Sequence, residues 1–414
     1  MTFAYDNCPF YHNLYKRKGV VPREIRTIDD FRKRVPIITK KDLTKMLPRD
    51  FTAGTCANTL MRNMRSISLT SGVTGVNTFV VTGPEFMDRF VQNYLAREMW
   101  MEMLRPNMRV FLQLSGWHFI ALSMNRLAQY LSLKVISPYG TQMYKFANGY
   151  VKMLEESSPD YIVTTPSMLH SIIEECKAGG KEIQKVFDNV KYISVAGEII
   201  SPLERSKLVD ELGVYDIFES GGSVDGIWGG GECSSHRGHH VWMDHGFLEV
   251  VEPETGEPLE SRERGAIVNT HFSPDASIYI RFNSQDYGEM LDGDCECGRT
   301  HNRVEIYDRI MNVVKIGTKK ISVYDLIGCF ENIEEVSEAL FTIVLSSNNS
   351  KDELVLEIAQ TPKVKNPEIT TEKLKDSILM RLGISTVRMR WIPLNEMEFI
   401  HGKILRIKNE PAQR

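Results

Sequence analysis

No apolar run in this chain of 414 residues approaches the roughly 20 residues needed to cross a bilayer as a helix. No membrane association is expected. Charge of one sign is not in excess either, since 50 Lys and Arg stand against 54 Asp and Glu for a formal net charge of −4. Without a long basic run, nucleic acid is not an expected partner. Cysteine is sparse and odd in number, 7 in all, which fits reduced thiols or metal ligands better than a disulfide framework. The first residues mix Tyr5, Asp6, Asn7 and His12 among apolar ones, with no charged stretch leading into a continuous apolar core. A soluble, cytoplasmic protein is the expectation.

What is present is length and alternation. A chain of this size exceeds what one core usually supports, so two domains are expected. Residues 1–50 read as short helices carrying Phe10, Tyr11, Leu14 and Tyr15, broken before Pro22 and Pro36, with a helix start at Thr39–Leu43. From about Arg65 strand and helix trade places: strands at Ser66–Leu69, Thr78–Thr82, Arg109–Leu114, Lys134–Ser137, Tyr161–Thr165, Tyr192–Val195 and Tyr215–Glu219, and helices at Pro84–Glu102, Ile120–Ser132, Met168–Cys176 and Ser201–Leu212. That texture predicts an α/β fold with mostly parallel sheets flanked by helices. Short strands between turns over about 232–300, such as Phe247–Val251 and Gly265–Thr270, predict a β-rich subdomain. After Arg309 the strands Val313–Ile316, Ala339–Ser346, Glu353–Ile358 and Val387–Pro393 and the helices Val323–Glu331 and Thr371–Leu382 predict a small separate α+β domain. The expected division is 1–308 and 309–414, with a hinge at about 309–313.

Several constellations carry chemistry. In Ser68–Thr78, Gly72 and Gly75 allow close backbone approach while Thr70, Ser71 and Thr74 add hydroxyls, which suits a loop around a polyphosphate; an ordinary Ser/Gly hairpin loop is the plain alternative. No Gly-Lys-Ser/Thr follows, so a Walker-type loop is excluded. Cys233, His240, Cys295 and Cys297 form a Cys3His set of the donors zinc prefers, and four protein ligands describe a structural site. Separately buried thiols are the alternative, and His236, His239 and His245 are rival imidazoles. Asp286 follows a strand-like run where a carboxylate can accept from a ribose, Arg309 stands at the hinge, and Lys403 sits on a glycine turn near the end.

The order of these signals resembles the adenylate-forming superfamily, and within it the phenylacetate–CoA ligase-like branch. Thr70–Gly75 is similar to its SSGTTG phosphate loop, and Ala196-Gly197-Glu198 to its GAE adenine-pocket strand end. Glu232-Cys233, Gly238-His239-His240, the turn Glu252–Leu259 and Cys295–Thr300 look like the branch's zinc-bearing region. Arg281 and Asp286 fall at the YRTGD ribose aspartate, Arg309 at the GRxDD arginine and Lys403 at the catalytic lysine. The chain departs from the family at Phe218–Asp225, where no glutamate stands at the magnesium position and Glu219 or Asp225 is the substitute. Val76-Asn77 after the phosphate loop and Met311 at the hinge are further departures.

The resemblance implies activation of a carboxylic acid by ATP and Mg2+ to an acyl-adenylate, then transfer to coenzyme A, with a carrier protein or an amine as alternative acceptors. A non-catalytic nucleotide- or acyl-binding relative is the remaining alternative. It implies an acid pocket from Trp117, His118, Phe119, Gly140, Gly221 and Trp228, whose aromatic side chains favour an aromatic acid. It also implies structural Zn2+ and a homodimer.

Overall fold

The computed structural model describes residues 1–44, 66–69, 79–113, 119–137, 149–223, 228–331, 333–336, 340–345, 353–361, 363–393, 396–400 and 403–409. The chain forms two compact units, one of Met1–Gly197 with Leu212–Ile306 and the other of Glu198–Glu211 with Tyr307–Arg414. By this division the second unit begins just ahead of the expected 309 and also takes in residues 198–211.

The first unit opens with α1 (Thr2–Asn7), α2 (Pro9–Lys18), α3 (Ile28–Arg34) and α4 (Lys40–Thr44). Pro9 opens α2, where a missing N–H costs nothing, and Thr27 with Asp30 closes a reciprocal capping box on α3. These helices are too short to persist alone, so tertiary contacts hold them. The buried Tyr11 hydroxyl accepts the Ile280 N–H at 2.7 Å and donates to the Ile278 carbonyl at 3.1 Å. Arg281 donates to the Arg32 and Val35 carbonyls at 2.5 and 2.7 Å while pairing with buried Glu249 at 3.2 Å. The helical segment is thus fastened to the chain just ahead of Asp286.

The hairpin of β1 (Ser66–Leu69) and β2 (Phe79–Thr82) is antiparallel, with Leu69 opposite Phe79. Next, α5 (Pro84–Arg89) passes through a π-helical segment, Phe90–Leu95, into α6 (Ala96–Met101). The main sheet follows: β3 (Arg109–Leu112), α7 (Phe119–Leu131), β4 (Lys134–Ile136), α8 (Tyr150–Ser157), β5 (Tyr161–Thr164), α9 (Pro166–Ala178), α10 (Ile183–Val186), β6 (Tyr192–Ala196), α11 (Pro202–Leu212) and β7 (Asp216–Ser223). Strands β3 to β7 pair in parallel, as the alternation predicts. All four residues of β5 are buried, the mark of a parallel strand covered on both faces.

The β-rich residues extend this same sheet. They supply β8 (Trp228–Gly231), β9 (His239–Val241), β10 (Gly246–Val251), β11 (Gly265–His271), β12 (Phe282–Leu291) and β13 (Arg303–Arg309). The full strand order is β10-β11-β12-β13-β9-β8-β7-β6-β5-β3-β4. The turn from parallel to antiparallel falls at the β7–β8 hairpin.

In the second unit the hairpin β14 (Val314–Ile316) and β15 (Lys319–Ile321) precedes α12 (Val323–Phe330), which Ser322 and Asp325 cap reciprocally. A four-stranded sheet takes β16 (Phe341–Leu345), β17 (Leu354–Gln360), β18 (Val387–Pro393) and, after the short hairpin β19 (Phe399–Ile400) and β20 (Lys403–Ile404), β21 (Ile407–Asn409). Its order is β18-β17-β16-β21. The long helix α13 (Pro367–Leu382) packs Leu374 and Ile378 into a core where the Phe330 and Phe341 rings stack at 4.9 Å. No helix among the described residues is long and apolar enough to cross a membrane.

One buried pair in the first unit sets an acid limit on stability. His245 and His271 meet at 2.6 Å between their Nε2 atoms, wrapped by Phe86, Phe90 and Trp242. One ring donates and the other accepts, and burial disfavours the charged form of both. Burial pushes His245 down to about 3 and His271 well below its ordinary value. Their unfolded counterparts take up protons below about 6.5, so this contribution is intact above that pH and is lost as pH falls. Between pH 7 and 5.5 the pair should cost about 2 to 3 kcal/mol of unfolding free energy. Urea midpoints across that range check it: a His245→Phe/His271→Leu protein should show a flatter acid limb, and an equal slope in both proteins removes the pair as the cause.

Candidate functional site

In a parallel sheet, ligands gather outside the carboxyl ends of the strands. Here that rim is formed by Gln113 after β3, Thr164 ending β5, Ala196 ending β6 and the far end of β7, where Ser220 is in register with Ala196. Gly197 follows with φ +81°, a left-handed turn that lets the chain leave β6 sharply.

Beside this rim the β7–β8 hairpin is stripped of side chains. A Cβ on Gly221 would lie 2.7 Å from Ile306 and 2.8 Å from His239, one on Gly230 2.5 Å from the His240 carbonyl, and one on Gly231 2.6 Å from the Glu98 carboxylate. Closely packed groups thus take the place of side chains. On the face toward α6, fully buried Glu102 accepts from Tyr161 Oη at 2.6 Å and meets Ser220 Oγ at 3.4 Å, with Ser194 Oγ 3.1 Å from Ser220. Burial pushes Glu102 up to about 8 despite the Tyr161 hydrogen bond, with Glu98 adding to the rise. It is therefore a neutral acid at pH 7. Glu98 alongside is paired with Arg299 at 3.2 Å.

Of the expected residues, Thr70, Ser71, Gly72, Thr74 and Gly75 lie outside the described residues, as do Trp117, His118, Gly140 and Asp225. Phe119 opens α7. Glu219 is buried on β7, its carboxylate 3.7 Å from His239, and its N–H donates to Glu232 at 2.7 Å. Asp286 is buried on β12, and its N–H reaches Ser284 Oγ at 3.4 Å. Asp286 belongs to the first unit; Glu198 and Arg309 belong to the second, as does Lys403 on β20, where it pairs with Ile400. In that unit the Arg309 N–H donates to Asp308, whose carboxyl burial pushes up.

Trp228 is buried opposite Ser223 across the hairpin, and its Nε1 and the Ser223 hydroxyl both lack a partner among the described residues. Gln113 carries a further buried amide nitrogen without a partner among them. Sequence reasoning missed Gln113, Thr164 and Ser223, since a lone polar residue at a strand end forms no pattern; only the strand order shows that they share the rim.

The four metal-type residues come together. The donor atoms of Cys233, His240, Cys295 and Cys297 lie within 4.8 Å of one another, with Cys233 Sγ to Cys295 Sγ at 3.5 Å and Cys297 Sγ to His240 Nε2 at 3.4 Å. A tetrahedron with Zn–S bonds of about 2.3 Å has edges of roughly 3.7 Å, so the set fits such an ion. Ser235 Oγ lies 3.0 Å from Cys233 Sγ and 3.3 Å from Cys295 Sγ, and the Arg299 N–H reaches Cys297 Sγ at 3.5 Å. The rival imidazoles turn elsewhere: His236 to Asp216 and Glu232, His239 to Glu219, and His245 to His271.

No protein-family model matches the chain. Among curated proteins it is 27% identical over 307 residues to phenylacetate-coenzyme A ligase of Thermus thermophilus, covering 73% of this chain and 66% of that protein. It is 28% identical over 313 residues to phenylacetate-coenzyme A ligase of Escherichia coli, covering 73% and 68%. The match thus spans about two thirds of these relatives' length. Among solved structures, 2-hydroxyisobutyryl-CoA ligase in complex with 2-HIB-AMP superposes with a TM-score of 0.84, at 21% identity, over 99% of this chain and 87% of that one. An anthranilate CoA ligase in complex with anthranoyl-AMP gives a TM-score of 0.63 at 13% identity, over 86% and 68%. The chain thus has the fold of these CoA ligases and, over about three quarters of its length, resembles the phenylacetate-coenzyme A ligases in sequence.

Proposed function

We propose that this protein activates a carboxylic acid, aromatic by preference, with ATP to an acyl-adenylate and passes the acyl group to coenzyme A. The observation that carries this reading is the 27% and 28% identity to two phenylacetate-coenzyme A ligases. In the first step the carboxylate attacks the α-phosphate and pyrophosphate leaves, so catalysis needs positioning and positive charge where negative charge builds. Thr70, Ser71, Gly72, Thr74 and Gly75 grip the leaving pyrophosphate, Ala196, Gly197 and Glu198 line the adenine slot, and Asp286 and Arg309 hold the ribose. Lys403 supplies the charge.

The acid lies against Trp117, His118, Phe119, Gly140, Gly221 and Trp228. Magnesium neutralises the ATP phosphates; since Glu219 is buried beside His239, Asp225 is the carboxylate to test first as its ligand. Zinc at Cys233, His240, Cys295 and Cys297 is structural: four protein donors leave no open position for chemistry. A cytoplasmic homodimer completes the reading.

Pyrophosphate exchange across a panel of aryl and aliphatic acids tests the first step, and product analysis with coenzyme A, amines and carrier protein tests the second. Exchange with no acid overturns the reading in favour of a non-catalytic binder. Exchange without thioester formation moves the acceptor to an amine or carrier protein.

A further inference from the structure

The main sheet has a topological switch point, and a buried polar pair stands at it. From β3 the chain passes through α7 to β4 on one side, then returns through α8 to β5 on the other side of β3. At such a point the two connections diverge and leave a crevice outside the strand ends. The residues at that end are Gln113 and Thr164. They continue the parallel register of Leu112 with Val163, and the Gln113 N–H donates to the Val163 carbonyl at 2.8 Å. They therefore share one face.

The Thr164 hydroxyl donates to Gln113 Oε1 at 2.5 Å, Thr164 is fully buried and Gln113 is 7% exposed. Gln113 Nε2 is buried without a partner among the described residues. A buried amide donor left unpaired is costly, and native proteins seldom keep one without a use. The neighbouring helix start does not call for an anion: α9 begins with Pro166, which has no N–H, and the Thr165 side chain already accepts from Met168.

Resting on the acid-activating function proposed above, we infer that Gln113, held by Thr164, is a specificity-determining residue that hydrogen-bonds a hydroxyl group on the acid, away from its carboxylate. The chemistry selects a hydroxyl. With Oε1 engaged by Thr164, Nε2 donates to it; with the amide turned over, Nε2 donates to Thr164 and Oε1 accepts from it. A hydroxyl satisfies both arrangements and an apolar substituent neither. The depth of the amide places the hydroxyl on the inserted end of the ligand, remote from the carboxylate that must meet ATP.

The test is the ratio of kcat/KM for adenylate formation between matched acids, phenylacetate against 3- and 4-hydroxyphenylacetate, with mandelate as the control whose hydroxyl adjoins the carboxylate, in the wild-type protein and in Gln113→Met. The wild type should favour one ring-hydroxylated member over phenylacetate and mandelate, and Gln113→Met should reduce that ratio by roughly 10- to 100-fold. Thr164→Val, which frees the amide to rotate, should lower it in the same direction, and it keeps the test open if Gln113→Met does not fold. A ratio unchanged in both variants overturns the inference, as does a wild type that favours no ring-hydroxylated acid or only mandelate, or a variant effect confined to the KM of coenzyme A. Failure of the wild type to adenylate any acid is a different result, because it overturns the proposed function itself.

Discussion

Stripping zinc from the proposed site at Cys233, His240, Cys295 and Cys297 should destabilise the antiparallel end of the main sheet without unfolding it. The four donors come from the chain after β8, from β9 and from the turn after β12, so one ion bound there would tie together segments far apart in sequence. Buried thiols brought this close without a cation leave their proton and charge demands unmet. Structural zinc in small domains contributes on the order of 10 kcal/mol, and a loss of several kcal/mol is expected here, because the hydrophobic contacts of Val241, Leu248, Ile267 and Val304 persist. Purified protein should carry about one zinc per chain. Chelation or Cys295→Ser should lower the melting temperature and abolish adenylate formation together. Metal content far below one equivalent, with stability indifferent to chelator, would remove the ion from this account.

Lys403→Ala should cost about 100- to 1,000-fold or more in adenylate formation, the range seen when a preorganised charge stabiliser is removed from a transition state. The strand bearing Lys403 is well supported. Beyond β20, the Ile343 N–H donates to the Arg406 carbonyl at 2.8 Å, the Thr342 hydroxyl donates to the Leu405 carbonyl at 2.8 Å, and β21 pairs in parallel with β16. An alanine at 403 should therefore fold, and the loss should appear in kcat. Thioester formation from a presynthesised adenylate should survive better, since the phosphate charge has already been resolved. Equal pyrophosphate exchange in wild type and variant would end the assignment.

Much of this architecture is legible in the sequence because hydrophobic periodicity is local. The strand at Ser66–Leu69 and the strand at Val387–Pro393 stand where alternation and β-branched residues place them. Helix starts are less legible: α13 begins at Pro367, capped by Asn366, ahead of the expected Thr371, since a first turn accommodates proline where its missing N–H costs nothing. The Cys3His set is legible because few side chains bind zinc and a Cys-x-Cys pair chelates. By contrast, the single eleven-stranded sheet joining the parallel and β-rich regions is a matter of long-range pairing, which no local window reports. Gln113 is missed for the same reason. Its neighbour Thr164 is 51 residues away in the chain, and only the order of β4, β3 and β5 makes the pair a site.

The bare β7–β8 hairpin also bears on how this protein can change. An added methyl at Gly221, Gly230 or Gly231 would come within 2.7 Å of Ile306, the His240 carbonyl or the Glu98 carboxylate, and the carbonyl cannot swing aside, so this hairpin resists the usual route of substrate drift, a larger side chain at the pocket surface. Variation has to arrive from strands alongside. A lineage of such enzymes would be expected to diversify at positions such as 113 and 164 while the hairpin stays glycine, and a mutational scan for new acids is best aimed there.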